Sequence, residues 1–283
     1  MTELNQLLLF KSNISQQTQK NYERIYNKIR DKLSNDIADT NQNKIIEIIE
    51  KLSNENPSNF LTYINVPIII KKMTNNDVDL LVKVQKEYDG LRTKHIQNSI
   101  KQKKVELPDF NVLKKFTDEL YDKQEYQKYI INFILINFGL RNKDLQLYIV
   151  ERNSIKNTEV EQNFILLQKS KAELIINNYK TIENYGQKKI KITNKKFIDA
   201  CYKYGVNSYL LNDNGDKSKP VVETGLAQYI GRRLYNGLTE GDYFKILIKN
   251  AQKKKNSLKE IQFLSETRGT SLDVIMKHYN IQV

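Results

Sequence analysis

The segment YIINFILINFGL, residues 129–140, is the longest apolar run in the chain and the feature that most limits its fold. At about 1.5 Å of rise per residue it is too short to cross a bilayer as a helix, so it reads as a helix buried in a protein core. Whatever surrounds it must supply a core around it. The chain has 283 residues, enough for two domains that each bury a core of their own.

Upstream of that run the pattern is helical throughout. In SQQTQKNYERIYNKIRDKL, Tyr22, Ile25, Tyr26, Ile29 and Leu33 recur at helical spacing after Ser15, a suitable N-cap. NKIIEIIEKLS (43–53) reads as a second helix, and a third should start at Pro57 and end or kink at Pro67. Residues 77–105 continue helically and turn lysine-rich towards their end. HIQNSIKQKKVELPDF then loses apolar periodicity, so we expect an all-helical domain over 1–95, a linker over 96–108, and a second domain over 109–283.

The texture changes after the buried helix. LQLYIVE, NFILLQ, AELIINNY and KKIKIT are short β-branched or alternating runs between turn-forming residues, which predicts a small antiparallel sheet. Beyond residue 194 the helical pattern returns in five segments, and no internal repeat occurs. The expected fold class is an all-α domain followed by a mainly α domain with a small antiparallel sheet.

Lys plus Arg number 46 against 33 Asp plus Glu, a net charge of +13 and a pI of about 9.4. An excess of this size points to a polyanionic partner, because neutralising phosphates and releasing their counterions drives nucleic-acid affinity. A Lys-, Asn- and Ile-rich composition from a biased genome is the plainer explanation. The lone cysteine, Cys201, excludes an intramolecular disulfide, and no His/Cys cluster has metal-ligand spacing, so no metal or cofactor is expected. MTELNQLLLFKS lacks the basic start and long apolar stretch of a signal peptide. The expected location is intracellular: host nucleus, cytoplasm or virion, with no membrane partner.

Gly-rich phosphate loops, a nucleophile elbow and paired histidines on one helix face are absent. FGLRNKDLQL is more informative. Arg141 stands where the buried helix gives way to a turn, with Asp144 three positions on. A local ion pair capping the helix is the plain alternative. Near the chain's end, SETRGTSLDVIMKHYN joins a Gly-Thr-Ser corner to a short helix carrying Tyr279.

Taken together, FGLRNKDLQL, the strand region and RGTSLDVIMKHY resemble the catalytic domain of tyrosine recombinases, the phage-type integrases. That family has a Gly-Leu-Arg motif with an acidic residue three positions later, matched by Gly139, Leu140, Arg141 and Asp144. Its last motif is Gly-His-Ser with a tyrosine about ten residues on, and Tyr279 follows Gly269 by ten. The helix SQQTQKNYERIYNKIRDKL is similar to the one that opens the family's SAM-like, DNA-clamping domain. The resemblance spans nearly the whole chain in the expected order.

The resemblance implies metal-free strand cleavage and rejoining through a 3′-phosphotyrosyl intermediate at Tyr279. Arginine forks would neutralise the phosphate oxygens, with Arg141 as the first. A hairpin lysine is implied at Lys180, with Lys169 and Lys171 as alternatives. The His-x-x-Arg motif falls at Asp242 and Lys245, and the histidine of Gly-His-Ser at Thr270. Lysine loses the bidentate fork, threonine cannot carry a proton as imidazole does, and Asp242 places negative charge near a phosphate. Slow or absent cleavage is therefore expected.

The DNA-facing surface is expected to include Lys11, Lys20, Arg24 and Lys28 around the first helix, Lys103 and Lys104 in the linker, and Arg232 and Arg233. These would meet phosphates and give affinity with little sequence reading. Family members that assemble as cyclic tetramers extend beyond the tyrosine with a docking helix, whereas Asn280–Val283 is all that follows Tyr279. Self-association on DNA is expected only in another form. Two functions compete: a recombinase or integrase acting on double-stranded DNA, and an impaired descendant serving as an architectural or packaging-associated protein of a virus or mobile element. A pure protein-interaction role, with compositional charge, is the third.

Overall fold

The computed structural model describes residues 2–11, 14, 16–102, 107–152, 162–179, 181–213, 215–222 and 225–279; for residues 17, 95–102, 184, 213 and 277–279 it describes the backbone only. The chain divides into two compact units, Met1–Val105 and Glu106–Val283.

The first unit consists of α1 (Glu3–Phe10), α2 (Gln16–Arg30), α3 (Gln42–Ser53), α4 (Pro57–Met73) and α5 (Asp79–Gln102). Side-chain caps start three of these: Thr2 accepts from Asn5 N at 3.3 Å, Asn41 from Asn43 N at 2.9 Å, and Asn56 from Ser58 N at 2.9 Å with Pro57 in the first turn. Ile25 and Ile29 of α2, Ile45 and Ile49 of α3, and Phe60 and Ile64 of α4 share one core at 0% exposure. Tyr88 of α5 stacks on Phe60 with ring centroids 3.6 Å apart.

Three features of this unit stand beside those expectations. Pro67 does not end its helix, which runs on to Met73. The ring removes the hydrogen bond to the carbonyl four residues back, but Val66, Pro67, Ile68 and Ile70 are buried, so packing holds both sides of the break together. Helix α1 was not foreseen; its Glu3 carboxylate accepts from Ile37 N (3.1 Å) and Ala38 N (2.8 Å), pinning a loop far along the chain. Helix α5 continues to Gln102, as the helical reading of 77–105 has it, and overlaps the start of the segment placed as a linker. Ser15, the expected N-cap of α2, lies outside the described residues.

The second unit starts with α6 (Phe110–Asp122) and α7 (Tyr126–Phe138). Ile130, Ile131, Ile134 and Leu135 of α7 are wholly buried, as the apolar run required. Gly139 ends the helix at φ 59°, its N–H reaching Leu135 O at 3.1 Å. A Cβ there would lie 2.7 Å from the Phe244 ring, so both the backbone and the packing demand glycine.

Strands β1 (Leu147–Glu151), β2 (Asn163–Gln168), β3 (Lys171–Ile176), β4 (Lys188–Ile192) and β5 (Ser208–Tyr209) form one sheet in the order β4-β3-β2-β1-β5. The sheet is mixed, not antiparallel. β1 and β2 run parallel, Leu147 opposite Asn163, while the other pairs are antiparallel. Alternation of side chains identifies the face of a strand but carries no information about its direction. Leu147, Ile149, Ile165, Leu167, Leu174 and Ile176 join the helical core, and Val150, Phe164, Leu166 and Ile175 form a cluster on the other face. Burial on both sides suits the continuous apolar run of β2, NFILLQ.

A four-residue helix, α8 (Ile182–Tyr185), lies within the β3–β4 connection. Then come α9 (Lys195–Tyr204), the ribbon β6 (Asn212–Asp213) and β7 (Asp216–Pro220), α10 (Leu226–Gly231), α11 (Glu240–Gln252), α12 (Ser257–Arg268) and α13 (Leu272–Tyr279). Ile275 anchors α13 in a cluster with Phe244, Leu247 and Ile248 of α11 and Ile261 and Leu264 of α12.

Candidate functional site

Arg141 leaves the Gly139 cap in extended conformation and precedes a 3-10 turn, Asn142–Leu145. Asp144 within that turn accepts from Arg141 N at 3.1 Å, and Asp144 N donates to Arg141 O at 2.9 Å. This is a backbone bracket, not the side-chain ion pair that would merely cap a helix. It frees the guanidinium to point elsewhere: Nη2 donates to Thr270 Oγ1 at 2.7 Å and to Gly269 O at 3.3 Å. Nη1 is buried with no hydrogen-bond partner. Burial, and then the charge of Arg268, hold this guanidinium below its ordinary pKa. Asp144 is at 0% exposure, and burial pushes its carboxyl up.

Gly269, the C-cap of α12, is the point on which the site converges. It has φ 63° and ψ 48°, and Thr270 N closes the corner on Ser265 O at 3.0 Å. Its carbonyl also accepts from Thr181 Oγ1 at 2.8 Å. A Cβ on Gly269 would sit 2.7 Å from Thr181 Oγ1, 2.8 Å from Lys188 Nζ and 2.9 Å from Tyr179 Cε2. No side chain fits there.

Lys188, the first residue of β4, was not singled out from sequence. Its ammonium donates to Thr267 O at 2.9 Å and lies 3.6 Å from the centroid of the Tyr179 ring. Tyr179 is 2% exposed and donates to Gly186 O at 2.7 Å. Burial, opposed by Asp144 but reinforced by Arg141 and Arg268, lowers the Lys188 pKa to about 8. Arg268 was also overlooked. It donates from Nη1 to Gly139 O at 2.8 Å, lies 4.1 Å over the Phe244 ring and pairs with Glu240, whose other oxygen accepts from Asn142 N at 3.3 Å. Its place directly before Gly269 in SETRGTS was the available clue.

The structure thus brings Arg141, Asp144 and Thr270 together, and α13 follows at once with Tyr279 as its last residue. The side chains of His278 and Tyr279 lie outside the described residues. Asp242 and Lys245 belong to a different arrangement. Asp242 accepts from Thr239 N (3.1 Å) and Thr239 Oγ1 (2.7 Å) in a capping box at the start of α11, and pairs with Lys245 at 3.0 Å. No described hydrogen bond joins either to Arg141. Lys180 lies outside the described residues; Lys169 is exposed, and Lys171 pairs with Glu173 at 3.0 Å.

On the remaining surface, Lys20, Arg24 and Lys28 are exposed along α2 at intervals of four, and none makes a described ion pair. Lys11 caps α1, a separate helix from the one expected to carry it, and its ammonium is 5.5 Å from the Phe10 ring. Lys103 and Lys104 lie outside the described residues. Arg232 is exposed, whereas Arg233 is held inward over the Tyr229 ring at 3.4 Å, with Nε donating to Gln127 Oε1 at 2.9 Å. Among the described residues no helix is long and apolar enough to cross a membrane, and no three His, Cys, Asp or Glu side chains gather as a metal site.

No protein-family model and no curated protein matches the sequence. Among solved structures, the crystal structure of XerA recombinase is similar over 99% of this chain and 93% of that one, at 12% identity and a TM-score of 0.39. The likeness is a distant one.

Proposed function

We propose that this chain binds duplex DNA, that the corner of Arg141, Thr270 and Gly269 receives a backbone phosphate, and that Tyr279 attacks that phosphate to cleave the strand. The observation that carries this reading is the buried, unpartnered Nη1 of Arg141. A buried donor left unsatisfied costs about 1–3 kcal/mol, and an anionic oxygen removes that cost while pairing with the charge. Thr270 and Gly269 hold the other nitrogen, so the fork is oriented before any ligand arrives.

In the reaction the tyrosine oxygen forms a bond to phosphorus, the tyrosine loses its proton, and the P–O bond to the departing strand breaks as that oxygen gains one. The phosphotyrosyl ester keeps the bond energy, so the reverse attack by a strand hydroxyl rejoins the DNA. A specific observation favours a second reading, DNA binding without cleavage. Asp242 and Lys245 neutralise each other on α11, and the Arg268 guanidinium is engaged by Gly139 and Glu240. The chemistry would then rest on one guanidinium.

Incubation with a nicked suicide duplex separates the two. A denaturant-resistant protein–DNA adduct that is lost in Tyr279→Phe supports cleavage; salt-sensitive binding with no adduct leaves the second reading. Affinity that does not respond to salt would sink both. In the same assay, replacing Lys20, Arg24 and Lys28 together by glutamine is expected to flatten the slope of log K against log salt by roughly 2–3, since each phosphate contact contributes about 0.9. An unchanged slope would remove α2 from the interface.

A further inference from the structure

We infer that Lys188 is the second cation of the phosphate corner, its ammonium meeting the same DNA phosphate as Arg141. This rests on the reading of that corner as a phosphate site. Three independent features support it. First, Lys188 and Arg141 converge on one residue: the ammonium lies 2.8 Å from where a Gly269 Cβ would be, and Arg141 Nη2 lies 3.3 Å from the Gly269 carbonyl oxygen. Second, Lys188 makes one described hydrogen bond, to Thr267 O, although an ammonium carries three donors. The Tyr179 ring beneath it orients the group without consuming a donor.

Charge supplies the third. Arg141, Lys188 and Arg268 face Asp144 and Glu240, and Glu240 is paired with Arg268. Three positive charges against two negative ones leave one in excess. A phosphodiester carries one negative charge, so a single phosphate balances the corner. Without it, partly buried cations repel one another, which is why burial together with Arg141 and Arg268 lowers the Lys188 pKa to about 8.

A consequence for pH follows, with opposite signs in the free and bound protein. In the free chain Lys188 binds fewer protons folded than unfolded between about pH 8 and its ordinary 10.5, so its contribution makes stability rise with pH across that window. DNA needs the protonated ammonium, so affinity should fall as pH rises through about 8. The other groups facing Lys188 are Asp144 from the 3-10 turn, whose carboxyl burial pushes up, the guanidinium groups of Arg141 and Arg268, and Tyr179, pushed above its usual 10 by burial.

The test is fluorescence anisotropy with a short labelled DNA duplex at constant salt, from about pH 7 to 9.5. Wild type is expected to lose roughly tenfold in affinity across that range, in proportion to one phosphate contact. Lys188→Gln should bind about tenfold more weakly at the low end and respond little to pH, and Lys188→Arg should stay tight while losing the decline. Lys188→Gln binding like wild type, or Lys188→Arg declining like wild type, overturns the assignment. No binding by wild type at low salt overturns the phosphate reading beneath it. Acetylation of wild-type lysines, mapped by mass spectrometry, needs no variant: Lys188 should label with a midpoint near 8 and be protected by the duplex. Labelling unaffected by DNA would equally overturn it.

Discussion

Replacing Arg141 by alanine is expected to slow formation of the covalent adduct on nicked DNA roughly 10³-fold, within the range found for arginines that stabilise phosphoryl transfer. Affinity for intact duplex should drop no more than about tenfold, because other phosphate contacts carry it. The contrast arises from geometry. Arg141 is oriented by Thr270 Oγ1 at 2.7 Å and Gly269 O at 3.3 Å, which leaves its buried Nη1 for the phosphate of the proposed reaction. A lysine at this position keeps the charge but cannot meet two acceptors and a phosphate in one plane. Arg141→Lys should therefore recover little of the rate. Single-turnover trapping measures this, and an alanine variant that traps DNA as fast as wild type would exclude Arg141 from the chemistry.

Gly269→Ala is expected to destabilise the second unit by roughly 2–5 kcal/mol. Left-handed backbone costs a residue with a Cβ about 1–2 kcal/mol, and forcing a methyl into a filled space adds about 1–3. Here the methyl would overlap Thr181, Lys188 and Tyr179 at 2.7–2.9 Å. Those are the groups that hold the corner, so relief of the clash would also displace Thr270 from Arg141. Gly90→Ala in α5 is the control. A Cβ there meets nothing within 4 Å, and the change should be neutral or stabilising by up to about 1 kcal/mol. Denaturant midpoints report both, and a Gly269→Ala protein as stable as wild type would show that the corner can relax.

Much of the architecture was legible in the sequence. The apolar run at 129–140 became the buried helix α7, the alternating runs became β1 to β4, and Tyr22, Ile25, Tyr26 and Ile29 turned one face of α2 inward. The parallel pairing of β1 with β2 was not legible, because a strand's pattern names its faces and not its direction. Nor were β5 and β6, each two residues long and too short to alternate. Pro67 sits inside α4 for a related reason: propensity is local, and the packing that overrides it is not.

The site divides in the same way. Spacing within short segments placed Arg141 beside Asp144, and Gly269 at the corner before the helix of Tyr279. It also put Asp242 and Lys245 one turn apart on a helix, where they pair with each other. It could not reveal that Lys188 and Arg268 flank Arg141, or that Thr181 and Tyr179 close around Gly269. Sequence determined the type of the longer periodic segments and which of their side chains share a face, since those follow from backbone periodicity over a few residues. Only the tertiary structure decided which cations meet. Burial and the charges of groups far apart in the chain act through space, and they alone leave Arg141 with an unsatisfied donor and Lys188 with a titratable charge.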